Sequence, residues 1–291
     1  MTKDLESMAR SGIGNVIFLE VNVGVPRGKV DFLSDRWLEL FAHAEKECRR
    51  LHIAMTLGIG PGWSGSGGPW VKPAQSMQHL VSATATVQGN ENKKIKLPVP
   101  LPKKPFFGEG AFTPGLKKQW QDFYEDVAVL AFPQPSDTGK IKDTDEKALY
   151  YRAPYSSAAG VKPFLSPDDD EDLSTSAAVS KNTILDLTDK LQPDGTVDWE
   201  APPGNWIIMR FGARNNGAIT RPAPFPGLGF EADKLDTVAL NAHLDAYTGR
   251  IFSKIGKPAK KSEGGLKFLH MDSWEMGAQN WTKNMREGFM K

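Results

Sequence analysis

Two stretches of this sequence, residues 1–60 and 229–291, alternate helical and strand patterns at short intervals, whereas the residues between them are broken by glycine and proline. Such alternation points to an α/β fold with parallel strands and right-handed crossovers. Leu5, Met8 and Ala9 recur at i, i+3, i+4, Asp4 and Glu6 sit in the first turn, and Gly12 with Gly14 supplies a stop, predicting a helix over 3–11. Val16-Ile17-Phe18-Leu19 is a continuous apolar run, as expected of a parallel strand covered on both faces. Ser34 is suited to cap a second helix, whose Trp37, Phe41, Ala44, Cys48 and Leu51 make one core-facing stripe. A second strand follows at 53–57 and ends at Gly58.

The rhythm returns late in the chain. Leu235, Val238, Ala239, Ala242 and Ala246 carry a helical period with Gly249 as its stop, 265–271 reads as a third strand, and Trp281, Met285 and Phe289 mark a last helix. In between, Pro193-Asp194-Gly195 and Pro202-Pro203-Gly204-Asn205 are turn signals beside short β-prone runs at 183–185 and 206–211, which predicts a small antiparallel module. Residues 133–147 and 166–176 are polar and proline-punctuated and read as exposed loops. The resulting expectation is an α/β chain forming part of a (β/α)8 barrel of the TIM type, interrupted by a β-rich, sandwich-like insertion. Its segments are 1–80 as the first part of the barrel, 81–228 as the insertion and 229–291 as the resumed, truncated barrel.

Composition removes several alternatives. The 36 Lys plus Arg nearly balance 35 Asp plus Glu, a net charge of +1 that gives no field for a nucleic-acid backbone. No stretch approaches the ~20 apolar residues of a membrane span, and the N-terminus carries no apolar signal-peptide core. Cys48 is the single cysteine, so an internal disulfide and a structural zinc site are both excluded; on the helical stripe it reads as a small buried hydrophobe. The five histidines show no metal-ligand spacing and read as structural.

Barrel enzymes keep their chemistry at the carboxyl ends of the strands. Three polar segments follow the predicted strands: Glu20-Val21-Asn22, the glycine-rich run 58–70, and Asp272-Ser273-Trp274-Glu275-Met276-Gly277. The last puts two carboxylates and an indole at one strand end, followed by Gln279, Asn280 and Trp281, a mixture suited to sugar hydroxyls and apolar sugar faces. The glycine-rich run lacks the Gly-Lys-Ser/Thr ending of a P-loop and the spacing of a dinucleotide fingerprint, so no nucleotide is expected, and no haem. Its Trp63 and Trp70 read either as sugar platforms or as core. Glu231 and Asp233 precede the helix that begins near Leu235, suited to its N-terminal dipole or to a site. Asp168-Asp169-Asp170-Glu171-Asp172 lacks the Gly and Glu of a calcium loop, since Leu173 and Val179 stand in those places, and reads as a solvated charge run.

Taken in order, Pro61-Gly62-Trp63-Ser64, Gly67-Gly68-Pro69-Trp70-Val71, Gln75-Ser76-Met77, Pro202-Pro203-Gly204-Asn205-Trp206, Gly229 to Leu235 and Asp272 to Thr282 resemble glycoside hydrolase family 106, the α-L-rhamnosidases and their relatives. The resemblance implies a (β/α) barrel with β-rich insertions, calcium-dependent inverting hydrolysis, a rhamnose-containing oligo- or polysaccharide as substrate, and export to the periplasm or cell surface. By the same resemblance Glu275 matches the general acid, while Trp63, Trp70, Glu231, Asp233, Asp272, Trp274, Gln279, Asn280 and Trp281 are candidate sugar contacts, with Asp272 also a candidate metal contact. Calcium ligands are not assigned. No residue matches the second catalytic carboxylate, which belongs to the remainder of the same enzyme, so this chain alone is expected to be inert. A non-catalytic carbohydrate-binding or degenerate fragment is the alternative.

Overall fold

A computed structural model describes residues 1–90, 92–137, 141, 144–150, 175–257, 263–274 and 276–290. The strands are β1 (Asn15–Glu20), β2 (Ala54–Pro61), β3 (Gln78–Gln88), β4 (Asn92–Lys96), β5 (Glu125–Pro133), β6 (Leu185–Asp186), β7 (Thr196–Glu200), β8 (Asn205–Asn215) and β9 (Gly265–His270). The helices are α1 (Thr2–Arg10), α2 (Asp35–Arg50), α3 (Pro114–Asp122), α4 (Thr144–Lys147), α5 (Thr237–Leu244), α6 (Arg250–Ile255) and α7 (Met285–Phe289). The chain forms two compact units, Met1–Met77 with Gly217–Met276, and Gln78–Asn216 with Gly277–Lys291. The first expected boundary, after residue 80, thus falls after Met77. The insertion closes after Asn216 rather than 228, and the last segment from Gly277 belongs with it.

In the first unit β1, β2 and β9 form a parallel sheet with β2 in the middle. Ser34 caps α2 by accepting from the Trp37 amide at 3.2 Å. The stripe of Trp37, Phe41, Ala44 and Cys48 is buried against Met55, Leu57 and Leu266 of the sheet. Burial pushes the Cys48 thiol up to about 11, which suits an inert apolar filler. Coverage on both faces holds for β2 alone. β1 alternates, with Ile17 61% exposed, and Phe268 on β9 is 55% exposed. Both are in register with Thr56, on the side of the sheet away from α2, and both lie on edge strands.

The helix after residue 229 departs from its expected register. α5 starts at Thr237, continues through one π turn over Asp245–Gly249 into α6, and stops at Gly256, whose φ of 75° suits glycine. Gly249 is helical, with φ −59°, and does not end it. The buried face is Ala239, His243, Tyr247 and Ile251, while Val238 is 69% exposed. Tyr247 decides this register: its ring stacks on Trp70 at 6.1 Å and meets Phe32 at 5.8 Å, outweighing the small alanines of the predicted stripe.

The second unit contains the antiparallel sheet expected from the turn signals, in the order β3-β8-β5-β6, with a separate β4-β7 pair. β3 and β8 pair over their full length from Gln78↔Asn215 to Gln88↔Asn205. Gly195 and Gly204, with φ of 80° and 108°, make the turns. Trp199 and Trp206 meet edge to face at 5.3 Å in the apolar core with Val129, Val197 and Ile208. On β8, Arg210 forms a bidentate pair with Asp126 at 2.7 and 2.8 Å, Arg214 donates to the carbonyls of Pro100, Gln121 and Phe123, and both guanidinium groups lie over the Tyr124 ring. A Cβ at Gly212 would overlap that ring. Of the expected loops, 144–147 is the short helix α4 and the acidic run 168–172 lies outside the described residues.

Candidate active site

The glycine-rich run after β2 is a close-packing device. A Cβ on Gly62, at φ 81°, would lie 2.5 Å from the Arg221 carbonyl, and one on Gly67, at φ 115°, would lie 2.6 Å from Phe230 O. With glycine there, backbone meets backbone: Trp63 N donates to Arg221 O at 2.8 Å and Gly68 N to Phe230 O at 3.1 Å. Ser64 Oγ accepts from the Arg221 amide at 3.2 Å. These bonds carry 219–234 alongside the carboxyl end of β2 and so deliver Glu231, Asp233 and Lys234 to it.

Glu231 is fully buried and ion-paired with Lys234. The Lys234 ammonium also stands 3.2 Å from Met77 Sδ and 5.3 Å from the centre of the Trp274 ring. Neither Glu231 nor Asp233 caps α5, because Asp236 does so through its 2.8 Å bond from the Val238 amide. Asp233, also buried, accepts from the Leu235 amide at 2.8 Å and shapes the turn before the helix. Lys234 escaped sequence reading. Its only local signal is the i, i+3 spacing from Glu231, which acquires meaning once the segment is buried.

At the end of β9, Asp272 Oδ1 accepts from the amide and hydroxyl of Ser273 at 2.8 and 2.9 Å, and Oδ2 lies 3.5 Å from His270 Nε2. Gly65 is where the three segments converge. A Cβ there would touch Met271 Cγ at 3.3 Å, Asp272 O at 3.5 Å and Lys234 Cε at 3.8 Å. The strand ends of β2 and β9 and the buried ion pair therefore share one place. Trp274 is 50% exposed there and Trp63, two residues before Gly65 in the chain, is 43% exposed, while Glu275 lies outside the described residues.

Four expected sugar contacts have other duties. Trp70 is partly buried against the core and donates its indole N–H to His243 Nδ1 at 3.0 Å. That nitrogen also accepts from the Gly67 amide, and the other bonds to Ile59 O at 2.7 Å, so His243 is a neutral staple; burial holds its pKa down to about 4. In the second unit, Gln279 donates to Trp281 O at 2.9 Å, and Trp281 is buried and bridges Gln78. Asn280 accepts from the Leu80 amide at 2.8 Å and donates to Ala148 O at 2.5 Å. The Asn280 side chain and the Trp281 backbone pin the last segment to β3. Among the described residues no three His, Cys, Asp or Glu side chains are placed to hold a metal ion, and no helix is long and apolar enough to cross a membrane.

The sequence profile of glycoside hydrolase family 106, described as alpha-L-rhamnosidase, matches residues 1–291. The chain belongs to glycoside hydrolase family 106. A curated Formosa agariphila protein named "Putative beta-glucuronidase" is 35% identical over 282 residues, covering 97% of this chain and 22% of that protein. The solved rhamnosidase of Novosphingobium sp. PP1Y matches with a TM-score of 0.75 at 23% identity, over 99% of this chain and 38% of that one. The fold is therefore shared with a segment of that rhamnosidase, and the chain spans well under half the length of either protein.

Proposed function

We propose that this chain supplies one side of the sugar-cleaving centre of a glycosidase that removes terminal α-L-rhamnosyl residues from an oligo- or polysaccharide. The observation that carries the reading is the convergence at Gly65 of the β2 loop, the β9 end and the Glu231–Lys234 pair. It gathers a carboxylate, a buried cation and two exposed indoles at strand ends, where a sugar needs both hydrogen-bond acceptors and apolar platforms. Glu275 is the general acid in this reading, and Asp272 accepts from sugar hydroxyls. Lys234, fixed by Glu231, holds Trp274 through its ring face and keeps the segment leading to Glu275 in place.

An inverting mechanism needs a second carboxylate, roughly 6.5–9.5 Å from the acid, to activate water. No residue of this chain is assigned that role, so it comes from the remainder of the enzyme and the isolated chain does not turn over. The three parallel strands are in this reading the start of a (β/α) barrel, and the exposed Ile17 and Phe268 face its interior. Calcium dependence belongs to the same reading, with no ligand assigned among the described carboxylates. Export to the periplasm or cell surface belongs to the same reading.

The test is hydrolysis of an aryl α-L-rhamnoside by this chain and by one extended through the rest of the enzyme. The extended chain turns over, the short one does not, and Glu275→Gln in the extended chain lowers kcat by about 100-fold or more. An extended Glu275→Gln chain with unchanged kcat overturns the assignment.

A further inference from the structure

The end of β1 lies against α2 with a hollow of about 310 Å³ beside it, formed within the first unit by none of the residues of the strand-end cluster. One wall is aromatic: Phe18, Trp37 and Phe41, with Trp37 and Phe41 stacked at 5.4 Å and Phe18 edge-on to both. Glu20 also lines it. One carboxylate oxygen accepts the Trp37 indole N–H at 2.8 Å, and the other has no hydrogen-bond partner among the described residues. At the rim the Arg27 guanidinium lies 4.3 Å over the Phe225 ring and is held by Asp31 at 2.5 Å.

These groups define a ligand. The volume stands at the lower end of the range for small-molecule pockets, enough for one ring. Aromatic faces take the C–H face of a ring, and a carboxylate oxygen without a protein donor takes hydroxyl donors. An anion would meet Glu20 and a cation would meet Arg27, so the ligand is neutral. We propose that the hollow between the end of β1 and α2 binds one neutral sugar ring, with its hydroxyls donating to Glu20 and its apolar face on Trp37 and Phe18. The site rests on the carbohydrate-active reading above but takes no part in bond cleavage. Burial raises the Glu20 pKa despite the Trp37 hydrogen bond, in keeping with a carboxylate partly removed from water.

Titration calorimetry of this chain with methyl α-L-rhamnopyranoside tests it, with methyl β-D-glucuronide and choline as anionic and cationic comparators. The neutral glycoside binds, the charged compounds bind at least tenfold more weakly, Glu20→Gln weakens binding about tenfold, and Ala44→Leu, which fills the hollow, abolishes it. Absence of binding, preference for either charged compound, or binding that Glu20→Gln does not alter overturns the proposal. Should Ala44→Leu not fold, Glu20→Gln decides alone. Binding at Glu20 needs no turnover, so an extended chain that fails to hydrolyse rhamnosides defeats the catalytic reading and leaves this measurement standing on its own.

Discussion

In the antiparallel sheet of the second unit, the central strand β8 is paired along its length with β3 and over most of it with β5, and its arginines are closed over by Tyr124 and Asp126. In the parallel sheet of the first unit only β2 is covered on both faces, and the edge strands turn Ile17 and Phe268 to solvent. Antiparallel strands can close on themselves through tight turns, whereas each added parallel strand needs another crossover. The difference teaches that the two units are self-sufficient to different degrees, although both have an apolar core.

Acid should act on both units through one buried histidine each, and this is the largest expected effect. Burial holds His243 and His79 at about 4, while the unfolded side chains titrate near 6.5. Above pH ~6.5 both states carry neutral imidazoles. Below it the unfolded chain binds protons that the folded units refuse, so stability falls at about 1.4 kcal/mol per pH unit per histidine until pH ~4, about 3 kcal/mol each. Hydrogen exchange resolved by strand measures the slope in each unit. His79→Gln should flatten it for β3 and β8 only, and an equal change in β1 and β2 would break the comparison by showing the units unfold together.

Glycine substitutions come next. Gly62→Ala forces a positive φ and a clash with Arg221, and should cost the first unit about 3 kcal/mol. Gly212→Ala, which must displace Tyr124, should cost the second about 2 kcal/mol. Urea unfolding followed by exchange in each sheet would assign the losses. The smallest effect sharpens the contrast most. Ile17→Ser should change the stability of this chain by less than about 0.5 kcal/mol, but cost an extended enzyme about 2 kcal/mol if further strands cover that face. A large loss in this chain alone would show the parallel sheet already complete.

Much of the fold was legible locally. The stripes of α1 and α2, the Ser34 cap of α2, the strands at 15–20 and 265–270, the first half of β2 up to Gly58, and the turns at Gly195 and Gly204 follow from periodicity and from glycine's freedom at positive φ. β3 finds its partner β8 more than a hundred residues on, a pairing that no local signal specifies. The site was legible at the level of segments. Asp272, Trp274 and the glycine-rich loop sit where strand ends were expected, and what local sequence did not show is that Trp70, Gln279, Asn280 and Trp281 engage in packing and backbone hydrogen bonds.

What the sequence determined by itself were the elements and their order, since helical stripes, caps and turns act over a few residues. Tertiary structure alone decided which polar and aromatic side chains remain for a ligand. Trp70 finds His243 across 173 residues and Asn280 finds Leu80 across 200. A buried donor or acceptor must be satisfied before it can serve anything else, and its partner is fixed only when distant segments pack.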